Sequence, residues 1–193
     1  MNKNELASQQ TIKLLVNIAR EHFSRFGYAD TSLESIASEA GLTRGALYHH
    51  FKNKKHLFIA VVTEVQLEIA HSIATQSQLV NDLWEQLIVG CIAFIQTAIT
   101  EKNKRILLID APNVIEWREW KTIDNKNSSN LLLEHLQSLS KKGFLVEIEV
   151  SLISSMISGA LDELALNIAE SNLMLDVEKL YEIISTLVKG FKK

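Results

Sequence analysis

Apolar residues recur along this chain at three- and four-residue spacing, which is the pattern of amphipathic helices. The first such stretch spans residues 8–26, and Gly27 follows it as a helix stop. Its apolar face comprises Ile12, Leu15, Val16, Ala19, Phe23 and Phe26. The alternation of apolar and polar residues that indicates a strand is not found over any useful length. The pattern therefore predicts an all-α fold.

A pair of short helices joined by a tight turn is predicted for residues 33–50. Ala37 allows the two helices to approach closely, Gly41 permits the left-handed backbone of the turn, and Leu47 packs beneath them. This spacing is that of a DNA-binding helix-turn-helix, whose second helix enters the major groove. An ordinary helical hairpin can have the same spacing, so the exposed side chains must decide between the two.

Both short helices begin at residues that cap helix N-termini. Thr31 with Glu34 fits a capping box for the first helix, and Ser32 is the alternative cap. Thr43 caps the second helix, residues 44–50. Because the free N–H groups of helix N-termini attract phosphate, Thr31, Ser32 and Thr43 are candidate DNA contacts.

The second short helix carries the chemistry that favours DNA binding. Its side chains predicted to point away from the head are Arg44, Gly45, Tyr48 and His49. Gly45 and Ala46 have almost no side chain, so the helix backbone can lie close to base edges. Arg44 can then reach a guanine with two hydrogen bonds. Tyr48 offers a hydroxyl to a phosphate and a ring to a sugar or a thymine methyl.

Two lysines begin the next predicted helix, residues 54–77, which Asn53 caps. Cations at a helix N-terminus oppose the helix macrodipole and cost a few tenths of a kcal/mol or more. Free N–H groups, the positive end of the dipole and two ammonium groups converge there. We therefore expect Lys54 and Lys55 to contact phosphate.

The rest of the chain is also predicted to be helical, without a break in composition that indicates a linker. The expected helices are 82–101, a short piece at 104–109, 112–122 with Pro112 near its start, 129–142 ending at Gly143, 147–169 and 174–190. The last two have more apolar surface than one protomer can easily bury, which predicts a dimer face. This face comprises Leu152, Ile153, Met156, Ile157, Ala160, Leu164, Ile168, Leu175, Leu180, Ile183, Ile184 and Leu187.

Charge is distributed unevenly along the 193 residues, whose net charge is −3. Residues 1–56 have eight Lys and Arg against five Asp and Glu, a net of +3, and the remainder has a net of −6. A basic head on an acidic body indicates that the head meets an anion. No apolar run approaches the roughly 20 residues that span a bilayer, and we expect a cytoplasmic protein with no membrane partner.

Other chemistries find little support in the sequence. His49 and His50 are neighbours on a helix, so their rings are expected to diverge by about 100° and not to share a metal ion. The single Cys91 lies in an apolar run and is expected to be a buried thiol. No nucleophile elbow or phosphate loop is present. We expect no catalytic activity, no metal and no cofactor.

Residues 18–62 resemble the N-terminal domain of TetR/AcrR-type transcriptional regulators. The matching elements are the FxxxGYxxTS lead-in, IAxxAG, GxLYxHF and KxxLF. The body resembles the family less distinctly, chiefly in RILLIDAPNVIEWREW. The implied architecture is an N-terminal three-helix helix-turn-helix DNA-binding head, residues 1–53, on a larger helical ligand-binding and dimerisation body, residues 54–193.

The resemblance assigns roles by position. The residues implied to face bases are Arg44, Gly45 and Ala46. Those implied to hold the DNA backbone are Tyr48, His49, His50 and Lys54, with a further phosphate contact from Thr43. It also implies a homodimer on a palindromic double-stranded operator, with half-site centres roughly 34–36 Å apart.

A small molecule bound in the body is implied to separate the two heads, so the expected function is a ligand-released repressor. An activator of the same fold and a helical interaction module without DNA binding are the alternatives. A pocket can use a few polar groups to orient a largely apolar ligand. The candidate ligand-binding residues are His71, Phe94, Asp110, Trp117, Trp120, His135 and Met156, for which packing in the core or contact with solvent is the competing interpretation.

Overall fold

The predicted all-α fold is confirmed. A computed structural model describes residues 2–124, 128–171 and 176–193, and within these ranges the extended pairing consists of an isolated antiparallel bridge between Leu145 and Lys192. The α-helices are α1 (Lys3–Asp30), α2 (Leu33–Glu39), α3 (Arg44–His50), α4 (Lys54–Ser77), α5 (Leu83–Ala98), α6 (Ala111–Val114), α7 (Trp117–Asp124), α8 (Ser128–Lys141), α9 (Val150–Ser171) and α10 (Val177–Lys189). A π-helix, Arg105–Asp110, lies between α5 and α6.

Most helix bounds agree with the sequence analysis, and α4 agrees at both ends. Helix α1 begins earlier than expected, because the side chain of Glu5 accepts a hydrogen bond from the backbone N–H of Asn2 and completes a capping box. The expected single helix over 112–122 is wrong. The buried Ile115 has an extended backbone (φ −100°, ψ 126°), and this ends α6 before α7 begins.

Contacts divide the chain into two compact units. The first unit comprises Met1–Val65 and Glu101–Trp117, and the second comprises Gln66–Thr100 and Arg118–Lys193. The first unit thus holds the predicted head together with residues that the sequence analysis assigned to the body. The division of function at residue 53 stays a prediction.

The core of the first unit is built from one face of each of its helices. Phe23 of α1 meets Phe58 of α4 edge to face, with ring centroids 5.0 Å apart, and the ring of Tyr28 lies 5.0 Å from Phe58. Such aromatic pairs stabilise a core beyond the area that they bury. The other buried apolar side chains are Leu15, Val16, Ala19, Leu33, Ile36, Ala37, Leu47, Phe51, Leu57, Val61, Val62, Val65, Ile106, Leu107, Ala111 and Ile115.

The second unit packs α5, α8, α9 and α10 around one apolar cluster. Cys91 of α5 is a member of this cluster, which confirms that its thiol is buried. Burial raises the pKa of Cys91 to about 12, so the thiol is neutral at ordinary pH. Ile153 and Ile157 of α9 also point into this core, as do Leu180 and Ile184 of α10.

Two helices, Lys54–Ser77 and Val150–Ser171, are long and apolar enough by length and composition to span a bilayer. The sequence analysis missed them because charged residues interrupt their apolar runs. In α4 the apolar face packs within protein, with Leu57, Phe58 and Val61 fully buried. Core helices of folded proteins pass the same test of length and composition.

Candidate nucleic-acid interface

Helices α2 and α3 are joined by the tight turn that the sequence predicted. Gly41 has φ 67°, a left-handed conformation that favours glycine, and the N–H of Leu42 donates to the carbonyl of Ala37 at 2.9 Å. Ala37 and Leu47 are buried between the helices. The turn and its packing therefore fix the orientation of α3 against α2.

The cap of α2 is Ser32, whose Oγ accepts a hydrogen bond from the N–H of Ser35 at 3.1 Å. The alternative capping box with Thr31 is wrong. Thr31 is only 3% exposed, and its hydroxyl donates to the carbonyl of Gly27 at 2.7 Å. Gly27 breaks α1 with φ 81°, so its carbonyl takes this side-chain donor. The predicted phosphate contact by Thr31 is incompatible with this burial, whereas Ser32 is exposed.

Helix α3 presents an open surface around Gly45. Thr43 caps the helix as predicted, since its Oγ1 accepts from the N–H of Ala46 at 3.2 Å. A Cβ added at Gly45 would have that same Oγ1, 4.0 Å away, as its nearest neighbour. Glycine inside a helix costs up to about 1 kcal/mol relative to alanine. Packing inside the protein therefore does not require glycine at position 45.

Arg44 lies at the exposed start of α3 and is held by two neighbours. Its Nη1 lies 3.0 Å from Oε1 of Glu34 in α2, and its Cζ lies 5.4 Å from the ring centroid of Tyr48. The pKa of Arg44 is raised by a hydrogen bond with the side chain of Tyr48 and then by the negative charge of Glu34. Arg44, Tyr48 and Glu34 therefore form one exposed cluster.

His49 and His50 lie at the end of α3, with ring centroids 5.4 Å apart in an edge-to-face arrangement. The rings are therefore closer than the expected divergence of about 100° indicated, because side-chain rotation brings neighbouring rings together. His49 is exposed and His50 half-buried. Among the residues that the structure describes, no group of three or more His, Cys, Asp or Glu is suited to hold a metal ion.

Lys54 differs from its predicted role. Its Nζ donates to the carbonyls of Tyr28, Ala29 and Thr31 at 2.7, 3.0 and 3.1 Å, and it lies 4.6 Å from the ring centroid of Tyr28. A cation at this position donates to carbonyls at the C-terminus of α1 and is attracted by the negative end of the helix dipole. All three ammonium hydrogens are thus directed into the protein, and this geometry does not present Lys54 to a phosphate.

The predicted cap of α4 is confirmed, and the predicted phosphate contact by Lys55 stays a prediction. Asn53 caps the helix, since its Oδ1 accepts from the N–H of His56 at 2.9 Å. Burial of the phenol raises the pKa of Tyr28, and the charge of the half-buried Lys55 offsets part of this rise. Lys55 therefore lies beside the break in α1.

The segment 101–117 contacts the same break in α1. Oδ2 of Asp110 accepts from the backbone N–H of Tyr28 at 2.8 Å, and Oδ1 of Asn103 accepts from Nη2 of Arg20 at 2.7 Å. A Cβ at Gly27 would lie 2.3 Å from Nη2 of Arg105. Asp110 therefore has a structural contact in the first unit, and its predicted ligand contact stays a prediction. This role was not predictable from local sequence, because Asp110 follows Tyr28 by 82 positions.

The remaining ligand candidates other than Trp117 belong to different local environments of the second unit. His135 donates through Nε2 to the carbonyl of Leu83 at 2.8 Å, and Phe94 packs against the apolar core cluster. His71 is exposed, Met156 is 58% exposed and Trp120 is half-buried. The side chain of Trp117 lies outside the described residues, as does Leu175 of the predicted dimer face.

A groove of about 360 Å³ lies between α8 and α9, and its lining includes none of these candidates. The lining residues are Ser129, Asn130, Leu133, Ser151, Ser154, Ser155 and Ser158. Four serines of α9 recur at helical spacing along it. Six of its seven lining residues have hydroxyl or amide side chains, whereas a pocket for a largely apolar ligand was expected.

Two parts of the chain match known families. Residues 15–61 match "Bacterial regulatory proteins, tetR family", and residues 84–191 match "Tetracyclin repressor-like, C-terminal domain". Together with the exposed α3 on its fixed turn, these matches define a helix-turn-helix DNA-binding transcriptional regulator. The chain belongs to the TetR family.

Relatives of similar length extend this likeness over most of the chain. The Transposon Tn10 TetC protein of Escherichia coli is 28% identical over 160 residues, which are 82% of this chain and 81% of TetC. A TetR-family transcriptional regulator from Pectobacterium atrosepticum is 31% identical, with a TM-score of 0.70 over 98% of this chain and 93% of that chain. The regulator FadR from Bacillus subtilis, in complex with stearoyl-CoA, shares the fold at 20% identity, with a TM-score of 0.78 over 93% and 98%.

Proposed function

We propose that this protein is a homodimeric repressor that a small, largely apolar ligand releases from a palindromic operator. The observation that carries the DNA-reading part of this proposal is the open surface at Gly45. A glycine that the protein itself does not need lies beside the exposed Arg44, at the start of the helix that enters the major groove in this motif. In this proposal Arg44, Gly45 and Ala46 face bases.

The proposed contacts with the DNA backbone lie on the same surface. Tyr48 and His49 are exposed on α3, and Thr43 and Ser32 cap helix N-termini at which phosphates bind favourably. We propose phosphate contacts for these residues, for the half-buried His50 and for Lys55. Lys54 is left out of this set because its ammonium group is bonded to three carbonyls.

The dimer is proposed to form through α9 and α10. Leu152 and Met156 of α9 are exposed, and so are Val177 and Tyr181 of α10. Large apolar side chains on two neighbouring helices favour burial against a second copy. Several other members of the predicted face, Ile153, Ile157, Ile168, Leu180 and Ile184, are already buried within the protomer, which narrows the proposed face to the exposed positions.

The ligand part of the proposal rests on the body. Residues 84–191 match the C-terminal domain of the family, and the related fold of Bacillus subtilis FadR holds stearoyl-CoA. We propose that the body, by binding and not by catalysis, couples such a molecule to the head in the cytoplasm. Whether the bound protein represses or activates depends on the position of its operator, so repression is tested by a reporter gene placed behind the selected operator.

The experiment is operator selection from random duplex DNA, followed by binding measurements on Gly45→Ala. Alanine fits the space around position 45 and is the better helix former, so we expect the folded state to be up to about 1 kcal/mol more stable. The added methyl group holds α3 away from the bases, so we expect affinity for the selected operator to fall about tenfold. A more stable variant with unchanged operator affinity would show that α3 does not approach DNA at Gly45.

A further inference from the structure

The pair between α2 and α3 carries an inference beyond the family's helix-turn-helix. Glu34 is exposed on the first turn of α2, 54% by side-chain area, and Arg44 is 65% exposed on α3. Both helices are fixed by the Gly41 turn and by the buried Ala37 and Leu47. The 3.0 Å contact between Nη1 and Oε1 therefore joins side chains of two helices whose relative orientation is fixed, on the surface proposed to meet DNA.

The geometry of a guanidinium group allows this contact and base reading together. Arginine carries five N–H donors in a planar fork, and Glu34 takes its contact through Nη1. A guanine needs two donors from one edge of the fork. Glu34 can therefore hold the group in place while another edge faces the groove, and the ring of Tyr48, whose centroid lies 5.4 Å from Cζ, is a second neighbour that limits its rotation.

The contact with Glu34 also changes the charge that Arg44 presents to DNA. Arg44 is the only Lys or Arg of α3, and the carboxylate of Glu34 offsets its charge. Sequence-independent DNA affinity comes from cations that neutralise phosphates and release counterions. A guanidinium already paired with a carboxylate adds little to that attraction, whereas its hydrogen bonds to a base edge are retained.

We propose that Glu34 is a specificity-determining residue that acts through Arg44. It positions the guanidinium for base recognition and removes it from the sequence-independent attraction to phosphate. This inference rests on the proposed DNA-reading role of α3. Glu34 is thus a positioning residue, and its loss raises affinity for all DNA while it lowers the preference for the operator.

The test uses the full-length protein, the duplex that the wild type selects from a random pool, and a random duplex of equal length. Dissociation constants are measured for Glu34→Gln between 50 and 200 mM salt. Releasing one cation per protomer steepens the logarithmic salt dependence by about 0.9 for each protomer and about 1.8 for the proposed dimer, which adds about a twelvefold change in affinity over this fourfold range. We expect tighter binding to random DNA and a smaller ratio of operator to random affinity.

Glu39→Gln is the matched control. Glu39 lies on the same helix, is 58% exposed and pairs with His22 at 2.8 Å, so the variant makes the same change in charge away from Arg44. We expect Glu39→Gln to keep the wild-type ratio of affinities. Equal effects of the two substitutions would overturn the inference, because the effect would then be one of net charge alone.

A double variant separates positioning from direct repulsion of DNA by Glu34. In an Arg44→Ala background, we expect Glu34→Gln to leave the ratio of operator to random affinity unchanged. A further fall in that ratio would mean that Glu34 acts without Arg44. Unchanged melting temperatures in all variants establish that the fold is intact. A wild-type protein that selects no sequence would instead contradict the proposed function itself.

Discussion

Replacing Lys54 with methionine distinguishes a structural role from a DNA-binding role at this position. The substitution removes the ammonium group and keeps an unbranched side chain of similar length. In the wild type, Nζ donates to the carbonyls of Tyr28, Ala29 and Thr31 within 3.1 Å. The change therefore leaves three carbonyls at the end of α1 without their charged donor.

The expected loss of stability follows from these contacts. Hydrogen bonds to a charged group contribute about 1.5–3 kcal/mol, and a cation at a helix C-terminus contributes about 0.3–1 kcal/mol. The contact with Ala29 is exposed, so water replaces part of what is lost. We expect a decrease of about 2 kcal/mol in the free energy of unfolding. For a chain of this size, that lowers the melting temperature by about 4–8 °C.

The assay combines thermal unfolding, followed by circular dichroism, with the salt dependence of DNA binding. We expect Lys54→Met to unfold at lower temperature and to keep the wild-type salt dependence on folded protein. Lys52→Met is the matched control, because Lys52 is an exposed lysine in the loop just before α4. We expect its melting temperature to equal that of the wild type.

A direct phosphate contact by Lys54 makes the opposite prediction. The melting temperature would stay the same, and the slope of log affinity against log salt would fall by about 1 for each protomer bound. That result would refute the structural role assigned here and restore the role that the sequence analysis gave to Lys54.

Two further predictions concern Asp110 and Cys91. In Asp110→Ala the N–H of Tyr28 loses its acceptor, so we expect the unfolding free energy to fall by about 1–3 kcal/mol and the amide of Tyr28 to exchange faster; an unchanged exchange rate would contradict this contact. The pKa of Cys91 is raised to about 12, from 9.0 for an unburied thiol. Below about pH 9 the thiol is protonated in both the folded and the unfolded protein, so the stabilisation from burying the neutral thiol is fully present there. Stability is lost as pH rises from about 9 towards 12, because the unfolded thiol ionises first, and the alanine variant should lose less stability over this range. At pH 8 a thiol reagent should label Cys91 only as fast as the protein unfolds.

The helix-turn-helix was predictable because its determinants are local. Gly41 must adopt a left-handed turn, Ala37 must be small and Leu47 must be buried, and each requirement can be recognised within fifteen residues of sequence. The exposed positions of α3 follow from the same periodicity. Helical periodicity likewise predicted most of the body helices, since the apolar positions of each amphipathic helix lie within one short segment of sequence.

The candidate site was less predictable wherever a side chain meets a distant part of the chain. The charge pattern at the start of α4 favoured phosphate for Lys54, but the break at Gly27 directs three carbonyls towards its ammonium group. Asp110 stands in a segment that resembles the ligand-binding body, yet its partner is a backbone N–H of α1. Glu34 was considered only as part of a cap, although the turn brings it to Arg44.

The sequence by itself determined the helical class of this protein, its DNA-reading motif and its family, because periodicity, glycine positions and motif spacing are properties of short segments. Only the tertiary structure decided which charged groups face outward and which satisfy the ends of other helices. The physical reason is that a helix end leaves backbone groups without partners wherever the chain happens to break. Which side chain reaches them depends on packing between segments that are far apart in sequence.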